Sequence, residues 1–308
     1  MMMTSQNTVK KHHICVCICT FKRPGYLQRL LTELEKQETE GLFDYSIVVV
    51  DNDRHESAKL ATDAYAKQSK VPITYYVQPE QNIALTRNKA VENAQGDFLG
   101  FIDDDEYPVA YWLLELYKTI NKSQADGVLG PVLPDYEKKP PKWVLKGHFF
   151  DRPTHNSGHI LNWENTRTGN ALLKRELFKE GCQWFDPKHG SGGEDRDFFC
   201  TKIKNGHVFV WCNEAPVFET VPPVRWKRIV MMKRALLRGK VAFENSSNNL
   251  SGILKSFLAI AIYTLGIPFF LMLGHHIFMT YLIKNCDHIG KVLTAVGIDL
   301  VKEKYIIT

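Results

Sequence analysis

Three consecutive carboxylates, Asp103, Asp104 and Asp105, directly follow the apolar run Phe98–Ile102. Three bare carboxylates in one cleft would repel one another, and a bound divalent cation removes that cost. Carboxylate oxygens suit Mg²⁺ or Mn²⁺, and either ion can bridge to a diphosphate. The run therefore indicates a Mg²⁺ or Mn²⁺ site, with a solvated acidic turn as the alternative.

A second acidic pair, Glu194 and Asp195, follows two glycines, Gly192 and Gly193. Glycines allow a loop to pass close to a ligand. A carboxylate placed there can act as a general base, and the alternative is that it only complements a helix dipole. We expect this pair to face the metal site.

Single polar residues follow the early apolar runs. Thr20 and Arg23 come after the first run, Asp51 and Asp53 after the second, and Arg87 lies in the helical segment after the third. A carboxylate can accept hydrogen bonds from a base or ribose, and an arginine can neutralise phosphate. Together these residues predict a nucleotide site along one edge of a sheet.

The elements that must position these residues alternate between short apolar runs and amphipathic segments. The predicted strands are 13–20, 47–50, 73–77, 98–102, 128–132, one within 167–174 that leads into a helix and, last, 207–211. The predicted helices are 27–37, 56–68, 84–94, 109–121 and one that opens at 190–195 and ends near 204. This alternation predicts an α/β protein with a mixed, mainly parallel sheet. Residues 134–165 show no such period and predict a long loop region.

Composition places the chain among folded proteins. It has 308 residues, 44% apolar and 24% charged, which excludes a disordered tail, a collagen and a small disulfide scaffold. The net charge is +5, yet residues 221–241 hold seven basic and no acidic side chains, so the remainder is slightly acidic. One basic segment argues against broad nucleic-acid binding and for a localised acidic partner.

The seven cysteines are expected to be reduced, because their number is odd and the first residues lack a secretory signal. Cys15, Cys17 and Cys19 alternate along the first predicted strand and would share one face as small buried side chains. A metal site is the weaker interpretation, since the other cysteines lack paired zinc spacing.

The C-terminal part is apolar. Residues 256–283 carry no formal charge, and Gly266, Pro268 and Gly274 are expected to interrupt this segment. The interruptions predict two short helices that dip into one membrane leaflet rather than one straight span. The alternative is a buried helical pair packed on the main domain.

Taken in order, the motifs resemble the inverting family 2 glycosyltransferases, which have a GT-A-type nucleotide-sugar-binding fold. The resemblance covers roughly residues 13–239 and is most like the glucosyltransferase type of exopolysaccharide assembly. The matching pieces are Cys19-Thr20-Phe21-Lys22-Arg23-Pro24, Val50-Asp51-Asn52-Asp53, Ile83-Ala84-Leu85-Thr86-Arg87-Asn88, Phe101-Ile102-Asp103-Asp104-Asp105-Glu106, Arg167-Thr168-Gly169-Asn170 and Gly193-Glu194-Asp195.

The resemblance implies a role for each matching residue. Asp195 would be the catalytic base with Glu194 beside it, and Asp103 and Asp105 would hold the metal. Asp104 could replace Asp103, because three consecutive acids leave the register open. The implied nucleotide-sugar-binding residues are Thr20, Arg23, Asp51, Asp53, Arg87, Asp103, Asp104, Gly169 and Asn170, the last two at the sugar and acceptor end.

The resemblance also implies the reaction and its partners. One sugar would pass from a nucleotide sugar, expected to be a UDP-sugar, to a lipid-linked saccharide at the cytoplasmic face of the inner membrane. The partners would include an anionic membrane surface and no nucleic acid. Pro222 stands where processive synthases have the Gln of Gln-x-x-Arg-Trp, so polymerisation is not expected. The alternatives are a nucleotidyltransferase acting on a sugar phosphate and a non-catalytic membrane-bound scaffold.

The expected organisation has three parts: an N-terminal tail (1–12), a GT-A catalytic domain (13–241) and a C-terminal helical, membrane-associated region (242–308).

Overall fold

The computed structural model describes residues 11–179, 181, 184–244 and 250–298. Its strands are β1 (His12–Thr20), β2 (Phe43–Asp51), β3 (Ile73–Val77), β4 (Phe98–Ile102), β5 (Glu106–Pro108), β6 (Gly127–Leu129), β7 (Val132–Tyr136), β8 (Asn170–Lys174), β9 (Phe209–Trp211) and β10 (Val217–Val221). Seven of them form one sheet in the order β3-β2-β1-β4-β8-β6-β9. β8 runs antiparallel to both neighbours and the other pairs are parallel, so the mixed, mainly parallel sheet is confirmed.

Helices cover both faces of this sheet. The helices within the described residues are α1 (Pro24–Leu34), α2 (Lys59–Ala66), α3 (Ile83–Asn93), α4 (Trp112–Ser123), α5 (Lys142–Lys146), α6 (Glu194–Lys204), α7 (Arg228–Glu244), α8 (Leu250–Leu273) and α9 (His275–Ala295). Successive side chains of β1 point to opposite faces of the sheet, and each face has its own buried cluster. Ile14, Val16 and Ile18 belong to one cluster, and Cys15 and Cys17 belong to the other. Burying apolar surface on both faces holds the strand ends in fixed positions.

The prediction of small buried cysteines on β1 holds for Cys15 and Cys17, whereas Cys19, at the end of the strand, is half-buried. Cys15 and Cys17 are buried, and the six cysteines within the described residues are free thiols. Cys182 lies outside the described residues.

A second, three-stranded sheet in the order β5-β10-β7 lies beside the first. β10 pairs antiparallel with β5 and parallel with β7. The strand predicted at 128–132 is in fact two strands, β6 and β7, in different sheets. The prediction that 207–211 is the last strand was wrong, because β10 follows it and carries Glu219 to the sheet edge.

The C-terminal helices form a layer in which α9 packs along both α7 and α8. α8 continues through Gly266 and Pro268, so the predicted interruption there was wrong; the chain breaks at Gly274, whose φ is 130°. Within the described residues α8 is long and apolar enough to cross a membrane. The alternative of a buried helical pair does not hold for α8, whose one buried residue is Ser256.

Close backbone contact joins α7 to α9. A β-carbon on Gly239 would clash with the carbonyl oxygen of Asp287, and one on Gly290 would clash with that of Leu236. Arg238 adds two hydrogen bonds to Asp287, at 3.1 and 3.0 Å. The domain boundary predicted between residues 241 and 242 falls inside α7, which ends at Glu244.

Candidate active site

A cavity of about 410 Å³ lies at the carboxyl edge of the large sheet. In open α/β sheets this edge is where ligands bind. The residues that line the cavity are Cys19, Thr20, Phe21, Arg23, Asn52, Ile83, Arg87, Asp103, Asp104, Asp105, Ser191, Gly192, Gly193, Glu194, Asp195 and Glu219. The fold thus brings the two acidic motifs of the sequence, one after β4 and one at the start of α6, into a single cavity.

The three consecutive aspartates have different surroundings. Asp104 is buried; it accepts a hydrogen bond from the Thr20 hydroxyl at 2.8 Å and pairs with Arg23 at 3.0 Å. Asp105 also lies 3.1 Å from Arg23. Asp103 is the most open of the three, with 42% of its side chain exposed. Because Asp104 is held by protein groups on both oxygens, this geometry favours Asp103 and Asp105 as the pair that faces a ligand.

Burial raises the pKa values of three neighbouring acids, Asp104, Asp105 and Glu106. Burial raises the pKa of Asp105 to about 7 although Arg23 lowers it, and burial likewise raises the pKa of Asp104. Burial, reinforced by Asp103, raises the pKa of Glu106 well above its usual range. The folded protein therefore carries an electrostatic cost at this edge that a nearby positive charge would relieve.

The donor set at this edge fits a divalent cation. Glu106 is buried, and within the described part of the chain its Oε1 has no hydrogen-bond partner. A β-carbon on Gly169 would lie 2.9 Å from that oxygen and 3.1 Å from Oδ2 of Asp103, so a glycine here keeps the space between the two carboxylates and the neighbouring loop open. Such a group of carboxylate oxygens suits Mg²⁺ or Mn²⁺.

The second acidic motif begins α6. Gly192 and Gly193 have φ values of 128° and 94°, a conformation that glycine adopts without strain. Glu194 is buried and pairs with Arg87. Asp195 is half-buried at the cavity wall, and its Oδ1 accepts the backbone N–H of Arg196 at 2.7 Å. Of the two acids, Asp195 is the one whose carboxylate is not committed to an arginine.

Two of the acids expected to hold the nucleotide point into the turn after β2. Asp51 is buried and accepts hydrogen bonds from the Tyr75 hydroxyl and the backbone N–H groups of Asp53 and Ala58. Asp53 is also buried and accepts from the backbone N–H of His55. Neither lines the cavity, whereas Asn52 between them does. In this structure Asp51 and Asp53 shape the turn that presents Asn52.

Gly169 and Asn170 also separate in the fold. Gly169 lies beside Asp103 and Glu106, as described above. Asn170 is fully buried, donates to the carbonyls of Pro131 and Ala215, and accepts the indole N–H of Trp112 at 2.7 Å. Its amide therefore does not face the cavity. It joins β8 to two segments that connect the sheets, one between β6 and β7 and one between β9 and β10.

Glu219, with its partners Arg152 and Arg225, lies beside the acids of this cavity and was not among the predicted site residues. Glu219 on β10 lines the cavity and is bonded at 2.6 Å by both Arg152 and Arg225. Arg225 also lies 3.7 Å from Asp105. Arg152 and Arg225 lower the pKa of Glu219 although its burial opposes this. In the sequence, the feature that could have revealed this residue is a glutamate within the apolar, β-branched run Val217–Val221. An acid in such a strand indicates a buried carboxylate with a charged partner.

A separate group could also hold a cation. Ligand atoms of Asp186, His189 and Asp197 lie within 4.8 Å of one another. Asp186 is already paired with Lys188 at 2.6 Å. This group lies outside the catalytic cavity, at the wall of a neighbouring one.

A mostly parallel sheet with an acid-lined cavity at its carboxyl edge is the arrangement of GT-A nucleotide-sugar-binding proteins. Structural comparison agrees: the S. aureus TarS fragment 1–349 in complex with UDP matches with a TM-score of 0.53, 17% identity and 94% coverage of both chains. GalNAc-T7 with UDP, GalNAc and Mn²⁺ matches with a TM-score of 0.53 and 13% identity over 78% of this chain and 52% of that one.

Sequence comparison identifies the family. The model of Glycosyl transferase family 2 matches residues 15–182. The succinoglycan biosynthesis protein ExoM of Rhizobium meliloti (strain 1021) is 34% identical over 233 residues, which span 74% of this chain and 73% of that protein. The chain belongs to glycosyl transferase family 2, and its fold is of the GT-A type.

Proposed function

We propose that this glycosyltransferase moves one sugar from a UDP-sugar to a hydroxyl of a lipid-linked saccharide, with inversion at the anomeric carbon. The observation that carries the proposal is that Asp105 and Asp195 line one cavity. One acid is placed to work beside the diphosphate of the donor and the other to accept the proton of the acceptor. The UDP complex of the structural neighbour TarS supports the choice of donor.

The donor would lie along the carboxyl edge of β1, β2 and β4. Arg87 would bring positive charge to the diphosphate. Asn52, at the end of β2, would act indirectly, because its amide is bonded to the carbonyls of Gln78 and Glu80 and to the backbone N–H of Asn82. Thr20 and Arg23 would affect donor binding indirectly, because they hold Asp104 and Asp105 in place. Asp51 and Asp53 contribute through the turn that carries Asn52.

Asp103 and Asp105 would hold a divalent cation, Mg²⁺ or Mn²⁺. When bound, the cation supplies positive charge that makes the nucleoside diphosphate a better leaving group. Glu106 would add an unpartnered carboxylate oxygen beside the cation site, and the lack of a side chain at Gly169 would leave space for the ion. The Mn²⁺ complex of GalNAc-T7 supports a metal in this fold class.

Asp195 would be the general base. Its Oδ1 is held by the backbone of Arg196, so Oδ2 takes the proton of the acceptor hydroxyl as that oxygen attacks the anomeric carbon. The bond between the anomeric carbon and the diphosphate oxygen breaks on the opposite face, and UDP leaves with both bonding electrons. An α-linked donor thus gives a β-linked product.

The place of this reaction is inferred from α8 and from the relatives. Exposed apolar side chains such as Leu258, Leu265 and Met272 cover α8, which favours contact with a membrane. ExoM is a succinoglycan biosynthesis protein, which supports a role in cell-surface polysaccharide synthesis. We therefore place the reaction at the cytoplasmic face of the inner membrane, with a lipid-linked acceptor.

A screen of nucleotide sugars tests the proposal. Full-length protein in detergent would be incubated with UDP-, GDP- and CMP-sugars and Mn²⁺, and thermal unfolding and nucleotide release would be measured. Of the three classes of nucleotide sugar, we expect only the UDP-sugars to raise the midpoint of thermal unfolding and to have their nucleotide, UDP, released. Release of pyrophosphate would instead indicate a nucleotidyltransferase, and absence of any nucleotide binding would indicate a non-catalytic scaffold.

A further inference from the structure

A second cavity lies on the far side of Glu219 from the aspartates. It measures about 220 Å³ and lies between the segment 149–152 and helices α7 and α9. Four arginines line it: Arg152, Arg225, Arg234 and Arg238. We refer to it as the arginine pocket.

Two acids, Asp151 and Glu219, line this pocket together with its four arginines. Glu219 pairs with both Arg152 and Arg225, Asp151 pairs with His148, and Asp287 pairs with Arg238 from outside the pocket lining. Arg225 is more than nine-tenths buried, and among the described residues its Nε has no hydrogen-bond partner. Burial, followed by repulsion from Arg225 and Arg23, lowers the pKa of Arg234 to about 10. A buried donor without a partner and crowded guanidinium groups indicate that an anion belongs here.

The arginine pocket adjoins two other cavities, with which it shares wall residues. It shares Glu219 with the catalytic cavity and shares Arg234 and Arg238 with a larger cavity of about 1330 Å³. The larger cavity and the catalytic cavity share residues 191–193 in their walls, and Glu194 and Asp195 follow these residues in the chain.

The larger cavity has the features of a saccharide site. Its wall includes Trp163, whose ring stacks on the guanidinium of Arg196 at 4.4 Å. A flat aromatic face beside hydrogen-bond donors suits a sugar ring. A chain of sugars could therefore extend from the arginine pocket to the proposed base.

We propose that the arginine pocket binds the diphosphate that joins the acceptor saccharide to its lipid. This inference rests on the proposed function and assigns the acceptor a site of its own. Arginine guanidinium groups bind phosphate oxygens in pairs of parallel hydrogen bonds, which matches a diphosphate better than a single carboxylate. The exposed apolar surface of α8, which packs on α9 beside the pocket, lies where the lipid would continue.

Direct binding of a lipid diphosphate tests the site. Full-length protein in neutral detergent would be titrated with farnesyl diphosphate in the presence of a chelator, so that Asp103 and Asp105 hold no cation and repel the probe. Arg234→Gln removes one pocket charge, and Arg234→Lys keeps it. Lys233→Gln is the matched control, because Lys233 is exposed on the same helix.

We expect Arg234→Gln to weaken farnesyl diphosphate binding about tenfold or more, Arg234→Lys to restore part of it, and Lys233→Gln to leave it within about twofold. Equal affinity of wild type and Arg234→Gln would overturn the inference. Dihexanoyl phosphatidylglycerol and inorganic diphosphate should bind much more weakly than farnesyl diphosphate. If either binds as well, the pocket takes membrane headgroups or free phosphate, and the acceptor assignment is wrong.

A parallel titration with UDP and Mn²⁺ separates this inference from the proposed function. UDP binding by each variant also shows that it is folded. If the wild type binds farnesyl diphosphate through Arg234 but binds no UDP, the proposed function fails and the anion site remains. If UDP binds and Arg234→Gln has no effect on farnesyl diphosphate, the anion site fails alone.

Discussion

The guanidinium of Arg87 pairs with the carboxylate of Glu194 and also lies 3.4 Å from Asp103. Arg87 and Glu194 are both buried, so one cation connects α3, the acids after β4 and the start of α6. The pairing also divides the two neighbouring acids of α6 by role. Glu194 fixes the position of the helix start, and Asp195 is left to face the cavity.

Glu194→Gln tests the structural half of this division. Removing one partner of a buried ion pair costs about 3 kcal/mol or more, because the remaining charge stays buried. We expect the thermal unfolding midpoint to fall by about 6 °C. Glu92→Gln, an exposed change on α3, should leave it unchanged. An unaltered midpoint in Glu194→Gln would show that the pair does not stabilise the fold.

Asp195→Asn tests the catalytic half. The amide keeps the size of the side chain but cannot accept the proton, so turnover should fall by about 10²–10⁴. UDP affinity should stay within about twofold, since Asp195 is not placed on the nucleotide. Asp63→Asn, which removes the same charge from an exposed place on α2, is the control. Near-normal turnover in Asp195→Asn would remove this residue from the role of base.

The sequence predicted well where local pattern decides structure. β3 and β4 have the predicted bounds, and α6 ends at the predicted residue, because continuous apolar runs and helical spacing depend little on the rest of the chain. The meeting of Asp105 and Asp195 in one cavity was expected from the family resemblance rather than from strand order, because Asp195 lies at the start of α6 and the strand before it, β8, is antiparallel to its neighbours.

Other features depend on long-range packing and could not be predicted from the sequence. β5 has three residues and pairs only in the presence of β10, so no periodicity marks it. Asn170 belongs to a recognisable motif, but its pattern cannot reveal that its amide is used by Trp112, Pro131 and Ala215. Pro268 was expected to break a helix that its surroundings allow to continue.

The metal assignment predicts which residue controls the response to Mn²⁺. Excess chelator should abolish sugar transfer, and Mn²⁺ or Mg²⁺ should restore it. Asp105→Asn should raise the Mn²⁺ concentration needed for half-maximal activity at least about tenfold, since a carboxylate ligand is lost. His189→Gln should leave that concentration unchanged. The opposite pattern would move the cation to the group of Asp186, His189 and Asp197, and full activity in chelator would exclude a required metal.

Replacing glycine by alanine should have opposite effects at Gly290, in the contact between α7 and α9, and at Gly252 on α8. Gly290→Ala would push a methyl group against the carbonyl oxygen of Leu236, and such overpacking costs about 1–3 kcal/mol. At Gly252 the new β-carbon meets only the flexible end of Lys291 at 3.5 Å, so alanine should stabilise α8 by up to about 1 kcal/mol. Thermal unfolding of the two variants in the same detergent measures the difference. Equal midpoints would mean that the helices do not pack this closely.

Membrane attachment through α8 is best tested by substitutions rather than by truncation, since loss of residues 256–308 would also strip α9 from α7. Four exposed apolar residues on one face of α8 would be changed to glutamine, which keeps the charge constant: Leu258, Ile262, Leu265 and Phe269. Polar side chains there remove much of the apolar surface available to lipid, so the protein should move from the membrane fraction to the soluble fraction.

The matched control replaces four exposed apolar residues outside the C-terminal helices with glutamine: Leu42, Leu60, Ile160 and Val208. This variant should stay with the membrane, because its apolar surface is not on the helix that contacts lipid. Fractionation after a high-salt wash measures both variants and removes proteins held by charge alone. A wild-type chain that is soluble without detergent, or an α8 variant that stays in the membrane fraction, would contradict attachment through this face of α8.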